Sequence, residues 1–330
     1  MTKYLKETEI AAGARIIKNG GIVAFRTETV YGLGANATDE AAVKKVFAAK
    51  GRPSANPLIV HFANINDISD FFASCDQTID KSSLRILKHF KSALTVILPK
   101  PNGIPAIVSG GLDSVAVRVP SCKFARTFIK ACGVPLAAPS ANISSRPSPT
   151  SWTAVKEDLD GKIDAVFMGP ATKIGVESSV VKVIDDKILV LRLGGTDTKK
   201  LAAETGMRIE VVTDSKTTEA SPGTRFKHYS PNCDFIVLKS ELINANVEKQ
   251  IKKGKMVAVL CIDENMELYK NLNNCLSVIG LGKTSTVVTK NFFAALRRAE
   301  KTNNIIICEE FPSTPEFEAV RERAIRASLA

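Results

Sequence analysis

Glu9-Ile-Ala-Ala-Gly-Ala-Arg-Ile-Ile-Lys-Asn-Gly-Gly-Ile-Val-Ala-Phe25 carries the first decision about the fold. Its apolar residues recur at helical spacing as far as Asn19, and Gly20-Gly21 close the helix. Ile22-Val-Ala-Phe25 follows at once as a strand-sized apolar run. A helix handed directly to a strand is the unit of an α/β fold. Outward from it, Asp39 is placed to N-cap a second helix running to Ala49. Leu58–Phe62 is a strand, wholly apolar apart from His61. Leu94–Leu98, Val115–Val119 and Pro135–Ala138 read as further strands, with a helix over Phe124–Cys132. Ala165–Phe167, Ser179–Ile184 and Ile188–Arg192 extend the sheet. Strands and helices mix without strict alternation, which predicts a twisted mixed sheet.

From Thr213 to Asn232 the pattern lapses into Ser, Thr, Pro and Gly, the composition of a linker. Beyond it, strands Phe235–Leu238, Met256–Ile262, Leu276–Ile279 and Asn304–Cys308 alternate with helices over Asn244–Lys253 and Thr289–Glu300. That alternation predicts a smaller Rossmann-like α/β domain. The expected organisation is a first domain over 1–212, a linker or lid over 213–232, and a second domain over 233–330.

No apolar run approaches the roughly 18 residues that a membrane span needs. The opening Met1-Thr-Lys-Tyr-Leu-Lys-Glu reaches an acidic residue before any apolar stretch, unlike a secretory signal. The seven cysteines contain no CxxC pair and the chain has three histidines, which offers little for a metal cage. Several cysteines sit within apolar runs, so a reducing cytoplasm is the expected compartment. The net charge of +11 invites a polyanion. Its excess is spread thinly over both halves with no Lys/Arg run, which fits solvated surface or a small basic cleft.

Four segments are richer in polar residues than packing requires. Arg26-Thr-Glu-Thr-Val-Tyr-Gly-Leu-Gly34 follows a strand and reads either as a substrate loop or as a glycine turn with capping threonines. In Lys50-Gly-Arg-Pro-Ser-Ala-Asn-Pro-Leu-Ile-Val-His61, the two cations answer a helix dipole or, beside Asn56 between prolines, form a phosphate grip. His61 is a core histidine or part of that cluster. Ala138-Pro-Ser-Ala-Asn142 and Arg146-Pro-Ser-Pro-Thr150 place hydroxyls and an amide at a strand's carboxyl end, which suits a nucleotide. Gly175-Val-Glu-Ser-Ser179 and Arg192 are a turn and a strand-end arginine when taken alone.

Taken in order, these segments and Ser221-Pro-Gly-Thr-Arg-Phe-Lys-His-Tyr-Ser-Pro231 resemble the threonylcarbamoyl-AMP synthases, in the long form with a YrdC-like domain and a C-terminal extension. The resemblance implies ATP contacts at Lys50, Arg52, Asn56, Ser114, Ser140, Asn142, Ser148, Arg192 and Phe226. It implies L-threonine contacts at Thr29, His61, Arg118, Ala138 (through its backbone) and Ser178. Four positions depart from the family pattern: Arg26 for a proline, Lys91–Thr95 for a W-P-G-P-x-T loop, Leu193-Gly194-Gly195 after Arg192, and Phe226 for a tyrosine.

The implied reaction joins L-threonine, bicarbonate and ATP, with Mg²⁺, into threonylcarbamoyl-AMP and pyrophosphate. No covalent nucleophile is expected; Lys50, Arg52 and Arg192 would act by positioning and electrostatic stabilisation. A separate transferase would pass the product to adenosine-37 of tRNA, whose contact with this chain is expected to be weak or indirect. The rival reading is an RNA-binding or ribosome-associated YrdC-like protein, which would need a surface stripe of Lys and Arg.

Overall fold

The structure is a computed structural model and describes residues 1–89, 93–212, 229–270 and 276–328. It divides into two units. The first holds β1 (Lys3–Lys6), β2 (Val23–Arg26), β3 (Tyr31–Asn36), β4 (Ile59–His61), β5 (Leu94–Pro99) and β6 (Ser114–Arg118). It continues with β7 (Leu136–Ala137), β8 (Ala165–Met168), β9 (Ser179–Ile184), β10 (Lys187–Arg192) and β11 (Arg208–Val211). Its helices are α1 (Ile10–Lys18), α2 (Glu40–Lys50), α3 (Ile65–Ser74) and α4 (Lys81–Leu87). α5 (Ala106–Ser109), α6 (Lys123–Cys132), α7 (Trp152–Leu159) and α8 (Thr198–Thr205) complete the set. Asp39 caps α2 as its type predicts, accepting from Ala42 N at 3.1 Å.

The eleven strands form one sheet in the order β1-β8-β2-β3-β7-β4-β6-β5-β9-β10-β11. Pairing is mixed: β4 and β6 run parallel, β5 and β6 antiparallel, β5 and β9 parallel, β9 and β10 antiparallel. Because side chains alternate along a strand, each face has its own core. Val60, Val96, Val117, Val181 and Val190 join the large core with α2 residues Val43 and Val46. Ile59, Ile97, Ala116, Val180 and Leu191 form a smaller cluster on the other face. Phe25, Phe167, Ala14 and Phe128 bury α1 and α6 against β2 and β8.

One expectation needs correction. Of the two readings of Arg26–Gly34, the glycine turn fails, because both glycines lie within β3. The chain turns earlier, over Thr27–Val30, and β3 returns antiparallel to β2 with Phe25 opposite Gly32. Gly34 is required for space: a Cβ there would sit 2.8 Å from Phe25 Cε1. Tyr-Gly-Leu-Gly-Ala carries little β-branched signal, which hides the strand.

The second unit contains β12 (Asp234–Leu238), β13 (Val257–Cys261), β14 (Leu276–Gly280) and β15 (Ile305–Glu309), all parallel in the order β12-β15-β13-β14. α9 (Ser240–Lys252) packs on one face, over Val257, Val259 and Ile307. α10 (Ser285–Ala299) and α11 (Glu318–Ser328) cover the other, over Ala258, Leu260 and Ile306. This is the Rossmann-like arrangement that the alternation predicts.

Two short stretches of the first half, 145–150 and 173–176, belong to this second unit. Arg297, buried on α10, donates Nε and Nη2 to Pro147 O at 3.1 and 2.5 Å, and Arg146 pairs with Glu300. Of the Thr213–Asn232 segment, 213–228, with Phe226, lies outside the described residues. Its last part is anchored: Tyr229 is buried against Phe293, ring centroids 5.2 Å apart, under the Arg323 guanidinium.

Candidate active site

Strand register brings together residues far apart in the chain. His61 pairs with Arg118 across β4 and β6. Thr95 lies one residue beyond the Val96–Val117 pair of β5 and β6, beside Arg118, and pairs with Val180 on β9. Val180 in turn pairs with Arg192 on β10. Residues paired across a sheet project from the same face. His61, Arg118, Thr95 and Arg192 therefore form one transverse row of polar groups beside the apolar floor of Ile59, Ile97, Ala116 and Val180.

Arg192 joins that row through a β-bulge. The ladder shifts register between Val190 and Arg192, so Leu191 is the extra residue. In a regular strand Arg192 would follow Val190 onto the main-core face. Beyond the strand the chain passes so close to the Glu177–Ser179 backbone that a Cβ on Gly194 would lie 2.4 Å from Ser178 C. That close approach holds Arg192 on Ser178: its Nε and Nη2 donate to Ser178 O at 3.2 and 2.9 Å. Ser178 Oγ in turn lies 2.7 Å from Thr95 Oγ1.

The Thr27–Val30 loop reaches Arg118. Arg118 Nη2 donates to Glu28 Oε1 at 2.5 Å and to Thr29 Oγ1 at 3.0 Å. Thr27 spends its hydroxyl proton on Val30 O at 2.7 Å, so Thr29 is the donor between the two hydroxyls. Burial alone would raise the Glu28 carboxyl; the Arg118 guanidinium outweighs it and holds the group below its usual range. Arg118 Nε is buried and has no hydrogen-bond partner among the described residues. An orphan guanidinium donor inside a polar row is a place for an oxygen-bearing ligand. His61 is pushed down to about 3, first by burial and then by Arg118, so it is neutral. Its Nδ1 then carries the proton and donates to Ile59 O at 3.0 Å.

A second group forms at the end of α2. Lys50, 1% exposed, donates Nζ to Ser140 O and Asn142 O, each at 2.5 Å. Arg52 reaches Asn56 Oδ1 at 2.6 Å and Pro57 O at 2.9 Å. Ala138 N donates to Ile59 O, and Gly32 bridges to Ser140, which ties this loop to β3 and β4. Oxygens of the loop fix both cations in place, and two cations so ordered suit an anion.

Ser114 opens β6 at the end opposite Arg118, pairing with Pro99. Ser148 belongs to the second unit, and Phe226 lies outside the described residues. Glu28 and Thr95 went unread in the sequence. The signal for Glu28 was an acid between two threonines directly after a strand; Thr95 gave none inside an apolar run.

A parallel and antiparallel sheet with a basic, hydroxyl-rich row, followed by a Rossmann-like unit, has close counterparts. The family model Sua5_yciO_yrdC, described as telomere recombination, matches residues 15–194. That described as threonylcarbamoyl-AMP synthase, C-terminal domain, matches 187–328. The threonylcarbamoyl-AMP synthase of Pyrococcus abyssi is 36% identical over 334 residues, covering 98% of this chain and 95% of the relative. That of Bacillus subtilis is 36% identical over 328 residues, covering 98% and 93%. The crystal structure of P. abyssi Sua5 complexed with L-threonine superposes with a TM-score of 0.86 at 35% identity, over 99% of this chain and 97% of that one. The chain belongs to the threonylcarbamoyl-AMP synthase family.

Proposed function

We propose that this chain is an L-threonylcarbamoyl-adenylate synthase, a nucleotidyltransferase that makes threonylcarbamoyl-AMP and pyrophosphate from L-threonine, bicarbonate and ATP. The observation that carries the reading is Arg118, buried at a strand end with an orphan Nε, at the position where the family resemblance implies a threonine contact. A guanidinium answers an amino-acid carboxylate with paired donors. Thr29, His61, Ala138 and Ser178 surround the same substrate in this reading. Lys50, Arg52 and Arg192 take the triphosphate, with Asn56, Ser114, Ser140, Asn142, Ser148 and Phe226 around the nucleotide.

The threonine amine adds to the carbon of carbon dioxide and loses a proton, or to that of bicarbonate with loss of water, giving a carbamate. A carbamate oxygen then forms a bond to the α-phosphorus, and the bond from that phosphorus to pyrophosphate breaks. The protein's share is to align two anions while offsetting their charge. Among the described residues no group of three His, Cys, Asp or Glu could hold a metal ion. In this reading Mg²⁺ enters as MgATP, carried by the phosphates as part of the substrate.

We assign the product to tRNA threonylcarbamoylation by a separate transferase, with weak or indirect tRNA contact, in the cytoplasm. All described cysteines are free. No described helix is long and apolar enough to cross a membrane. The test is incubation with ATP, threonine and labelled bicarbonate, with chromatography for the labelled adenylate. Pyrophosphate release should need both threonine and bicarbonate; equal release without an amino acid overturns the reading.

A further inference from the structure

Arg118 is the group offered to a substrate carboxylate, yet the fold has already set a carboxylate on it. Glu28 and Arg118 are 5% and 4% exposed and 2.5 Å apart. The second Glu28 oxygen accepts from Cys122 N at 3.2 Å. With both oxygens engaged, Glu28 is neither a free base nor a free ligand. What it sets is the net charge beside Arg118.

We propose that Glu28 is a specificity-determining residue for the amino-acid subsite, which by neutralising Arg118 admits a carboxylate only from a molecule that brings its own ammonium group. The proposal rests on the threonine reading of this site. An uncompensated guanidinium at this depth would attract any small anion. The reaction is crowded with them: bicarbonate, pyrophosphate and the phosphates of ATP. Against the Glu28–Arg118 pair, a bare anion leaves one buried negative charge with no partner, which is costly. A zwitterion adds no net charge, so only that class of ligand enters without penalty.

The pair leaves one Arg118 donor unused. Glu28 and Thr29 take Nη2, while Nε has no acceptor. In the proposed binding mode a substrate oxygen takes that buried donor after a local shift, with Glu28 in place. The like charge of Glu28 then faces the arriving carboxylate, and the substrate's ammonium offsets it.

The test compares L-threonine with its des-amino analogue 3-hydroxybutyrate, by calorimetry on wild type, Glu28→Gln and Glu28→Asp. The wild type should strongly prefer threonine. Glu28→Gln keeps the size and an acceptor for Arg118 but removes the charge. It should bind 3-hydroxybutyrate tenfold or more tightly than wild type does, with threonine affected less, so the preference collapses. Glu28→Asp should keep most of the preference. An unchanged preference in a Glu28→Gln protein that melts like wild type overturns the proposal. A second measurement does not depend on the variant folding. Wild-type pyrophosphate release should resist 3-hydroxybutyrate at concentrations matching threonine; inhibition there also overturns it. A wild type that binds no threonine at all overturns the reading of the site, and this proposal with it.

Discussion

Arg52 and Arg118 are both buried, and the proposed function assigns them to different anions. Arg52 is fixed by Asn56 and Pro57 oxygens near the end of α2, Arg118 by a carboxylate and a hydroxyl. Arg118→Lys keeps a charge opposite Glu28 and loses the fork, so threonine should bind about tenfold or more weakly with ATP little changed. Arg52→Ala should show the opposite split, losing about 1.5–3 kcal/mol of ATP binding. Calorimetry with each ligand separates the two, and matching losses for both ligands in both variants would undo the assignment. His61 makes a separate prediction. Its folded value of about 3 lies below the ordinary 6.5, so the unfolded chain takes the proton first as pH falls. The stability it contributes is complete above about pH 6.5 and is lost progressively toward pH 3. Glu28, also lowered, acts in the same direction at lower pH. Melting temperature should drop from pH 7 to pH 5, and His61→Gln should make that drop shallower. Equal slopes would mean that His61 titrates normally.

At the scale of the element, β3 gives a paired test. A methyl on Gly34 would press on the Phe25 ring at 2.8 Å, whereas one on Gly32 meets nothing nearer than Ala138 Cβ at 3.5 Å. Gly34→Ala should cost about 1–3 kcal/mol by overpacking. Gly32→Ala should stay within about 0.5 kcal/mol. Denaturant midpoints would show it, and equal effects would mean that the ring moves aside freely. The same strand marks a limit of sequence reading. Apolar runs such as Leu94–Leu98 announce themselves through hydrophobicity, and Asp39 announces α2 through its capping chemistry. Gly-Leu-Gly in β3 announces a turn, because the reason for Gly34 is a ring on the neighbouring strand. The Arg192 bulge is the sharper case. Alternation from Ile188 and Val190 would assign Arg192 to the main core, and only the register of β9 shows the shift. Family resemblance named Arg192 without supplying the device that aims it. Glu28 escaped because its significance lies in a partner 90 residues away.

For the whole molecule, the two units are legible as two domains, but their chain segments are not. Motif spacing suggests a cut after the first 212 residues, whereas Pro147 and Arg146 supply partners to Arg297 and Glu300 on the second unit. A fragment of residues 229–330 would therefore leave Arg297 without the Pro147 carbonyl and Glu300 without Arg146. Loss of a buried charge's partner typically costs about 3–5 kcal/mol. That fragment should melt well below the corresponding transition of the full chain, and adding a peptide spanning 145–150 should restore part of the difference. A fragment as stable as the intact unit would show that these partners contribute little.

The interleaving of 145–150 and 173–176 with the C-terminal unit also sets an order of events at the ribosome. When residue 176 leaves the exit tunnel, the helices and strands that complete those stretches have not yet been translated. At about 5–20 residues per second, Arg297 and Glu300 follow roughly 6–25 seconds later. Throughout that interval Arg146, Pro147 and Val176 are carried on a nascent chain without the groups that bury them. Slowing synthesis by rare codons between these stretches and α10 would prolong that exposure, and the yield of native enzyme would fall with it.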